Sequence, residues 1–299
     1  MNSPDTGTRR VCLIGWPVAH SVSPAMQNAA FAAVGLDWEY SLLPVKPGQA
    51  RVEIAVANLR LGRFAGANVT VPHKQAVMPY LQKLSEAARA IGAVNTICVT
   101  KGGDLEGHNT DAAGFLADLD ENDVNPEGMD ALVIGAGGSA RAVAYALAER
   151  GARRIAILGR TQERAALLAE GFAPRFPDVT FDVSPLADGL EKETERAGLV
   201  INCTPVGMAY AEATLPVPLD ALPFREGSIF YDLVYNPQKT PLMVCSAKRN
   251  AGTLSGLGML VHQGAKAFEI WTGKKAPLDV MHRAALEYLR GGKCRRSQD

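Results

Sequence analysis

Residues 130–160 read DALVIGAGGSARAVAYALAERGARRIAILGR, and this stretch decides the fold class of the second half of the chain. Two apolar runs, Ala131–Ile134 and Ile155–Leu158, flank a glycine turn and a helix-period segment that ends at Gly151. A strand, a glycine turn, a helix and a second strand within about thirty residues are typical of a dinucleotide-binding βαβ unit. A glycine turn that only packs a helix on a strand is the less favoured interpretation.

The glycine turn has the composition of a phosphate-binding loop. Its three glycines can take positive φ, which lets backbone N–H groups approach a pyrophosphate. The helix that opens after them presents its positive end to the same anion. The predicted phosphate-binding residues are Gly135, Ala136, Gly137, Gly138 and Ser139.

The end of the second strand indicates which dinucleotide binds. NAD-binding proteins place an acidic residue there, on the ribose hydroxyls, whereas this chain has Gly159-Arg160-Thr161. Arg160 and Arg164 are four residues apart at a predicted helix start, so both guanidinium groups can face one 2′-phosphate. The sequence therefore favours NADP, and a solvated pair of surface arginines is the alternative.

Length and composition exclude several classes of protein. A chain of 299 residues suggests two domains of about 150 residues each, with one large α/β domain as the less favoured alternative. A hydrophobic fraction of 47% and a charged fraction of 21% exclude intrinsic disorder. Lys+Arg and Asp+Glu both number 31, so no net charge attracts nucleic acid or an anionic membrane, and we expect neither as a partner.

Targeting and metal-binding signals are absent from the sequence pattern. No apolar run is long enough for a membrane span and no secretory signal is evident, so a cytoplasmic location is expected. The five cysteines form no CxxC pair and the five histidines form no HExxH motif. On these spacings neither a disulfide framework nor a metal site is predicted.

Apolar runs alternate with helix-period segments along most of the chain, as expected for βαβ units and parallel sheets. The predicted strands are Val11–Ile14, Trp38–Leu43, Ala67–Val69, Val94–Val99, Leu105–Gly107, Ala131–Ile134, Ile155–Leu158, Val179–Val183, Leu199–Asn202 and Ile229–Leu233. The helix-like segment Leu257–Trp271 is expected to pack back against the first third of the chain. The pattern therefore predicts an α/β protein with two lobes.

Two serines near the N-terminus form the first candidate for small-molecule binding. Ser21 and Ser23 precede a predicted helix with Pro24 at its first position, so Ser23 is predicted to be the N-cap. Two hydroxyls beside free helix N–H groups can also bind one carboxylate. Capping alone would explain Ser23, but it would not explain Ser21.

A second group of polar residues follows predicted strands. Asn68 lies near the end of the predicted strand Ala67–Val69, and Thr70 and Lys74 follow it. Asn95 and Asp111 lie next to the ends of other strands. Ligands of open α/β sheets bind at the carboxyl ends of strands. A lysine in a cleft can give a proton to a developing alkoxide, although an exposed lysine is the ordinary alternative. Their spacing in the chain leaves open whether Lys74 and Asp111 meet.

Eight motifs occur in the order seen in shikimate dehydrogenases, and the chain resembles this family from Val11 to about Gly273. The motifs are HSVSP, GANVTVPHK, IGAVNT, GHNTD, GAGGSARA, INCTPVGM, YDLVYNP and GMLVHQGAKAFEIWTG. The resemblance implies the reversible reduction of 3-dehydroshikimate to shikimate by NADPH, a step of chorismate and aromatic amino acid biosynthesis. It also implies a substrate domain, residues 1–110 completed by 256–299, and a Rossmann-like, doubly wound NADP-binding domain, residues 111–255.

The resemblance assigns roles to individual residues. Lys74 and Asp111 match the family's catalytic pair, with Lys74 as proton donor in reduction and acceptor in oxidation. The implied substrate-binding residues are Ser21, Ser23 and Tyr235 for the ring carboxylate, and Asn68, Thr70, Asn95 and Gln263 for the ring hydroxyls and the pocket around them. The implied cofactor residues beyond the glycine loop are Glu86, Gly159, Arg160, Thr161, Arg164, Thr204, Met208, Leu233 and Gly256.

Three alternatives stay open at the level of sequence. One is a quinate or dual quinate/shikimate dehydrogenase that uses NAD, and another is an enzyme acting on aminoshikimate. The third is a non-catalytic protein that binds or senses NADPH. Monomer and homodimer are both compatible with the sequence.

Overall fold

The structure is a computed structural model that describes residues 8–209 and 211–291, and the described chain forms two compact units. The N-terminal unit contains the described residues up to Thr110 together with those from Val261 onward, and the central unit contains Asp111–Leu260. Among the described helices, none has both the length and the apolar character that crossing a bilayer requires.

Strands and helices alternate along the described chain. The strands are β1 (Arg9–Gly15), β2 (Trp38–Pro44), β3 (Gly66–Val69), β4 (Lys83–Leu84), β5 (Thr96–Val99), β6 (Leu105–His108), β7 (Asp130–Ile134), β8 (Arg154–Gly159), β9 (Thr180–Pro185), β10 (Leu199–Asn202), β11 (Ile229–Asp232) and β12 (Gly252–Ser255). The α-helices are α1 (Ser23–Ala33), α2 (Gln49–Arg60), α3 (Glu86–Ile91), α4 (Asp111–Glu121), α5 (Gly138–Glu149), α6 (Gln162–Phe172), α7 (Leu186–Arg196), α8 (Pro241–Ala247), α9 (Leu257–Thr272) and α10 (Leu278–Gly291).

The sheet of the N-terminal unit has the order β2-β1-β3-β5-β6-β4. The strands β2, β1 and β3 are parallel, and β5 runs antiparallel to both of its neighbours. Ile14 pairs with Val69, and Thr96 pairs with His108. The carboxyl ends of β1, β3 and β6 and the start of β5 therefore lie at one edge of this sheet.

The sheet of the central unit is wholly parallel, in the order β12-β11-β10-β7-β8-β9. Every residue of β7, β8 and β10 is buried, which explains their continuous apolar sequences, since helices cover both faces of a parallel sheet. The chain winds outward in one direction from β7 to β9 and in the other from β10 to β12. The boundary between β7 and β10 is the topological switch point, where ligands of doubly wound sheets bind.

The predicted α/β class is confirmed, and each of the ten predicted strands overlaps an observed one. The helix α9 packs on the N-terminal unit as expected: Gln27 Nε2 donates to Gly264 O at 2.8 Å, and Trp271 Nε1 donates to Ile97 O at 3.0 Å. Two short strands were missed. β4 has only two residues, and β12 is the half-buried sequence GTLS, so neither has the apolar run that marks a strand.

A buried group of ion pairs joins β8, β9 and α7 in the central unit. Arg154, on β8, is 6% exposed and donates to Asp182 on β9 and, at 2.7 Å, to Glu193 on α7. Glu193 is itself 5% exposed. The neighbouring Arg153 is not buried, since its side chain is 68% exposed. Its partner Asp130 also accepts a hydrogen bond from Arg196 and would keep a cation if Arg153 were removed.

We expect Arg154→Met to lower the stability of the central unit by about 3–5 kcal/mol, because it leaves the Glu193 carboxylate buried without its cation. Arg153→Met is the matched control and should cost no more than about 1 kcal/mol. Native-state hydrogen exchange of the β7 and β8 amides measures both effects in the central unit alone. Equal losses in the two variants would contradict this account of the buried group.

Candidate active site

The candidate residues of the N-terminal unit lie at the edge formed by the ends of β1 and β3. Just beyond that edge, Trp16 N donates to Val71 O at 2.9 Å, so the two segments that leave these strands run side by side. The first segment contains Ser21 and Ser23, and the second contains Thr70 and Lys74. The backbone of Lys74 is held as well, since Val94 N donates to Lys74 O at 2.7 Å.

The prediction that Ser23 caps α1 is wrong. The N-cap is Val22, whose side chain makes no capping bond, and Ser23 is the first helical residue, with Pro24 next to it. The Ser23 N–H instead donates to Ser21 Oγ at 3.3 Å. Ser21 therefore does what a cap residue does, and Ser23, at 7% exposure, is left with a hydroxyl that helix capping does not use.

A hydrogen-bond network joins three of the predicted substrate residues. Asn68 Nδ2 donates to Asn95 O at 3.2 Å, and Asn95 Nδ2 donates to Gln263 Oε1 at 3.3 Å. Asn68 and Asn95 are 6% and 2% exposed. Because Gln263 lies on α9, this network connects the C-terminal part of the N-terminal unit to the ends of its central strands. The polar atoms are thus held in place before any ligand binds.

Three further residues belong to this network, and sequence reasoning missed them as site residues. The Tyr40 hydroxyl donates to Asn68 Oδ1 at 2.9 Å, and Thr96 Oγ1 accepts from Asn68 Nδ2 at 3.0 Å. Thr110 N donates to Asn95 Oδ1 at 2.7 Å. Thr96 and Thr110 lie within the IGAVNT and GHNTD motifs, whose threonines could have been included. Tyr40 carries no such signal, because it is an ordinary aromatic residue of a strand.

Lys74 and Asp111 are both buried, at 9% and 5% exposure. Lys74 belongs to the N-terminal unit, and Asp111 is the first residue of the central unit and of α4. Asp111 directly follows Thr110, which the Asn95 side chain holds. An acidic group in the first turn of a helix interacts favourably with the helix dipole. Both Lys74 and Asp111 are therefore ionisable side chains that are largely removed from water.

The glycine loop of the central unit lies at the switch point. Gly135 has φ of 119°, and a Cβ on it would lie 3.3 Å from Cys203 O, so this close approach of the β7 and β10 loops requires glycine. Gly137 has φ of −88° and Gly138 opens α5, so the expectation of positive φ at all three glycines is correct for Gly135 alone.

The start of α5 fits an anionic group. Its N-cap, Gly137, supplies no side-chain hydrogen bond, and the space where a Cβ of Gly137 would lie has no atom within 4 Å. The first N–H groups of a helix without a capping side chain are available to a phosphate. The glycine turn and the open space before it therefore match a dinucleotide-binding loop.

Arg160 and Arg164 are both exposed beside that loop. The N-cap of α6 is Thr161, so Arg160 precedes the helix, and the argument that both arginines share one helix face does not apply. Gly159 ends β8 and packs against Ala136, since a Cβ on it would lie 3.3 Å from that of Ala136. The segment that contains the two arginines is thereby held next to the glycine loop.

The remaining loops of the central unit are fastened by a buried carboxyl that sequence reasoning missed. Asp232 is fully buried and accepts from Asn202 Nδ2 at 2.9 Å, Val234 N at 3.1 Å and Thr240 Oγ1 at 2.6 Å. Burial away from any cation raises the pKa of Asp232 to about 6, although these three donors act in the opposite direction. Asn202 also accepts from the Thr204 hydroxyl at 2.6 Å.

The predicted cofactor residues outside the glycine loop fall into two places. Leu233 and Gly256 are brought together, because the backbone of Gly256 packs directly against the Leu233 carbonyl. Thr204 belongs to the loop organised by Asn202, and Met208 follows in it with 41% of its surface exposed. Tyr235 lies on the loop that follows β11. Glu86 is in the first turn of α3, in the N-terminal unit.

Family models match most of the chain. A model described as the shikimate dehydrogenase substrate binding domain matches residues 13–97, one for shikimate / quinate 5-dehydrogenase matches 119–207, and one for the shikimate 5'-dehydrogenase C-terminal domain matches 256–286. The NADP(+)-dependent shikimate dehydrogenase of Moorella thermoacetica is 46% identical, with 94% of each chain covered. The chain belongs to the shikimate dehydrogenase family.

Solved structures of the family have the same fold. A shikimate 5-dehydrogenase from Thermus thermophilus, in complex with NADP(H) and shikimate, is 36% identical and superimposes with a TM-score of 0.80 over 94% of this chain and 99% of that one. A shikimate dehydrogenase in complex with NADP+ is 38% identical and has a TM-score of 0.83 over 94% and 96%. The family resemblance stated from the eight motifs is therefore confirmed.

The raised pKa of Asp232 makes a pH-dependent contribution to the stability of the central unit. Well below pH 3.8 the carboxyl is protonated in the folded and unfolded states alike. As the pH rises from about 4 to about 6 the unfolded chain releases its proton first, because its pKa stays near 3.8 while the folded value is about 6. The folded unit should therefore lose up to about 3 kcal/mol over this range, at about 1.36 kcal/mol per pKa unit.

Asp232→Asn should remove this loss of stability, because an amide does not titrate. The variant should still fold, since the amide keeps one acceptor and its NH2 group can donate to the Thr240 hydroxyl. Hydrogen exchange of the β10 and β11 amides, measured in both proteins at several pH values, gives the difference in opening free energy. Asp178→Asn, at an exposed position of the same unit, is the control. Parallel pH profiles for wild type and Asp232→Asn would refute the assignment of the buried proton.

Proposed function

We propose that this chain catalyses the reversible NADPH-dependent reduction of 3-dehydroshikimate to shikimate, with Lys74 as the proton donor. The observation that carries the proposal is the burial of Lys74 at a sheet edge whose other side chains are already ordered by the network around Asn95. Shikimate dehydrogenases have this reaction, and the chain belongs to that family over more than nine-tenths of its length.

The reaction adds a hydride and a proton to a ketone. The reduced nicotinamide of NADPH supplies the hydride when it is bound. Lys74 Nζ gives its proton to the ketone oxygen as the alcohol forms, and it takes a proton from the alcohol in the reverse direction. Burial of Lys74 strengthens its interaction with charge that develops on that oxygen, because little water is present to screen it. Asp111 accepts a hydrogen bond from a substrate hydroxyl and keeps Lys74 oriented.

The substrate is a cyclic carboxylate with several hydroxyl groups, and the proposed binding residues match both kinds of group. The Ser21 and Ser23 hydroxyls at the start of α1, together with Tyr235, would bind the carboxylate. Asn68, Thr70, Asn95 and Gln263 present amide and hydroxyl groups that suit ring hydroxyls. Because Asn68, Asn95 and Gln263 are already joined by hydrogen bonds, binding costs little further ordering of these side chains.

The residues of the central unit fit NADP. The open helix start at Gly137 would receive the pyrophosphate, and the exposed guanidinium groups of Arg160 and Arg164 would pair with the 2′-phosphate. Gly159 and Thr161 would support the same segment. Thr204, Met208, Leu233 and Gly256, from the loops that Asn202 and Asp232 organise, would contact the nicotinamide end. Glu86 is assigned to the cofactor by the family resemblance alone.

The alternatives kept from the sequence are not favoured. A quinate dehydrogenase that uses NAD would have an acid at the end of β8, whereas the chain has Arg160 there. A sensor without catalysis has no need of a buried lysine at the substrate edge. Steady-state rates with shikimate and quinate, each with NADP and NAD, test the quinate and sensor alternatives: the shikimate and NADP pair should give the highest kcat/KM. Binding of NADPH without turnover of either substrate would contradict the proposal.

Lys74→Ala should lower kcat by about 10²–10⁴, the contribution of a positioned proton donor, with a smaller change in KM for shikimate. Lys101→Ala removes an exposed lysine in the β5–β6 turn of the same unit and should leave kcat unchanged. Steady-state kinetics of shikimate oxidation measure both variants. A loss confined to KM would reduce Lys74 to a binding residue.

Removal of both Arg160 and Arg164 by Arg→Ala substitution should raise KM for NADP much more than KM for NAD. Hydrogen bonds to a charged group contribute about 1.5–3 kcal/mol each, so binding should weaken by roughly 3–6 kcal/mol for the two arginines. Arg249→Ala, at an exposed position of the same unit, is the control. If KM for NAD increases by the same factor as KM for NADP, the two arginines do not bind the 2′-phosphate.

A further inference from the structure

Three side chains with metal-binding atoms converge on the β5–β6 hairpin, and no role proposed above uses them. Cys98 lies on β5, and Glu106 and His108 lie on β6. One sulfur, one carboxylate oxygen and one imidazole nitrogen all lie within 4.8 Å of one another. All three residues are half-buried. This set is called the hairpin cluster below.

The register of the hairpin explains the convergence. Cys98 is directly opposite Glu106 in the antiparallel ladder, and His108 lies two residues after Glu106, so all three side chains project from one face. His108 Nε2 is 3.6 Å from Glu106 Oε1 and 4.0 Å from Cys98 Sγ. One ring nitrogen thus faces both a carboxylate oxygen and a sulfur.

We propose that the hairpin cluster is a binding site for a divalent transition-metal ion of the zinc type. With Zn–S of about 2.3 Å and Zn–N and Zn–O of about 2.0–2.1 Å, tetrahedral geometry places ligand atoms about 3.3–3.6 Å apart. The two distances from His108 Nε2, 3.6 and 4.0 Å, exceed these by less than half an ångström. The third pair, Cys98 Sγ and a Glu106 carboxylate oxygen, lies within 4.8 Å, so ion binding would draw these two side chains together.

The chemistry of the three ligands selects the class of ion. Thiolate and imidazole bind Zn²⁺ and Co²⁺ well, whereas Mg²⁺ and Ca²⁺ require oxygen ligands. A thiolate and a carboxylate together balance the 2+ charge of the ion, and the imidazole is neutral. The Cys98 thiol proton passes to solvent on binding, and no oxidation state changes. Three protein ligands leave the fourth position to water.

The surroundings make the site rigid. Gly66 pairs with Cys98 from the other side of β5, and the indole of Trp271 packs directly against Gly66. Trp271 Nε1 donates to the carbonyl oxygen of Ile97, the residue before Cys98 on β5, at 3.0 Å. This bond fixes the position of the indole. A site on two paired strands loses little conformational freedom when an ion binds. The nearby Lys83 is paired with Asp104 at 3.2 Å rather than with the cluster.

The test uses the full chain, freed of metal with a chelator and titrated with Co²⁺. Wild-type protein should bind one equivalent, with a thiolate-to-cobalt charge-transfer band in the near ultraviolet that one equivalent of Zn²⁺ abolishes. Cys98→Ser should lose the band, and His108→Gln should weaken binding by more than about tenfold, which is the least that even an outer partner of a metal ligand costs. Cys245→Ser, at a half-buried cysteine of the central unit, should bind cobalt as wild type does.

Metal binding should also raise the temperature at which the N-terminal unit unfolds, because the ion binds only the folded hairpin. Zn²⁺ should produce this shift in wild type and in Cys245→Ser, but not in Cys98→Ser. Cobalt binding without a charge-transfer band, or a band that persists in Cys98→Ser, would overturn the proposal. Neither cobalt absorption nor thermal unfolding depends on shikimate turnover. The hairpin cluster and the proposed enzyme activity are therefore tested separately.

Discussion

The side-chain amide of Asn95 is the interaction on which the rest of the N-terminal unit depends. Its Oδ1 accepts the Thr110 N–H, and its Nδ2 reaches Gln263 on α9. Its main-chain carbonyl accepts from Val69 N at the end of β3. The side chain and main chain of one buried residue thus join the ends of β3 and β6 to the returning C-terminal helix. An aspartate, a leucine or an alanine cannot replace it, because each would lack a donor or an acceptor and leave a buried partner unsatisfied.

In the central unit, buried polar side chains also connect the ends of neighbouring strands. Asn202, at the end of β10, donates to Asp232 at the end of β11 and to Val206 O in the following loop. Asp232 in turn accepts hydrogen bonds from the Thr240 hydroxyl and the Val234 N–H. Loops at the carboxyl ends of parallel strands have no ladder to hold them. Buried polar side chains take over that role, and they order the loops that the proposed cofactor residues occupy.

The strands β7, β8 and β10 were predictable from sequence because their residues are buried on both faces and therefore form largely continuous apolar runs. The glycine turn was predictable as well, since its order of strand, turn and helix has a direct geometric meaning. Helix ends were harder: a serine before a proline satisfies the rule for an N-cap, yet the chain starts α1 one residue earlier, with Val22 as the cap and Ser21 as the acceptor.

The polar networks could be predicted only in part. Asn68 and Asn95 were found from their positions near the ends of predicted strands, and Gln263 through a family motif, but neither Tyr40 nor Asp232 has a local pattern that reveals its partner. Tyr40 contacts a residue 28 positions away, and Asp232 bonds Asn202 across 30 positions. Such pairings depend on which strands become neighbours, and composition and periodicity do not contain that information.

The hairpin cluster shows the same dependence on register in a more local setting. Motifs such as CxxC and HExxH describe ligands brought together by one turn or one helix face. In a hairpin, the residues that meet are instead set by the position of the turn, here around Gly103, whose φ is 85°. Moving the turn by one residue would send Cys98 and Glu106 to opposite faces, since side chains alternate along a strand. A search for metal ligands in β-rich segments must therefore start from the turn and count outward along both strands, which is how Cys98, Glu106 and His108 form one group despite unrelated spacings.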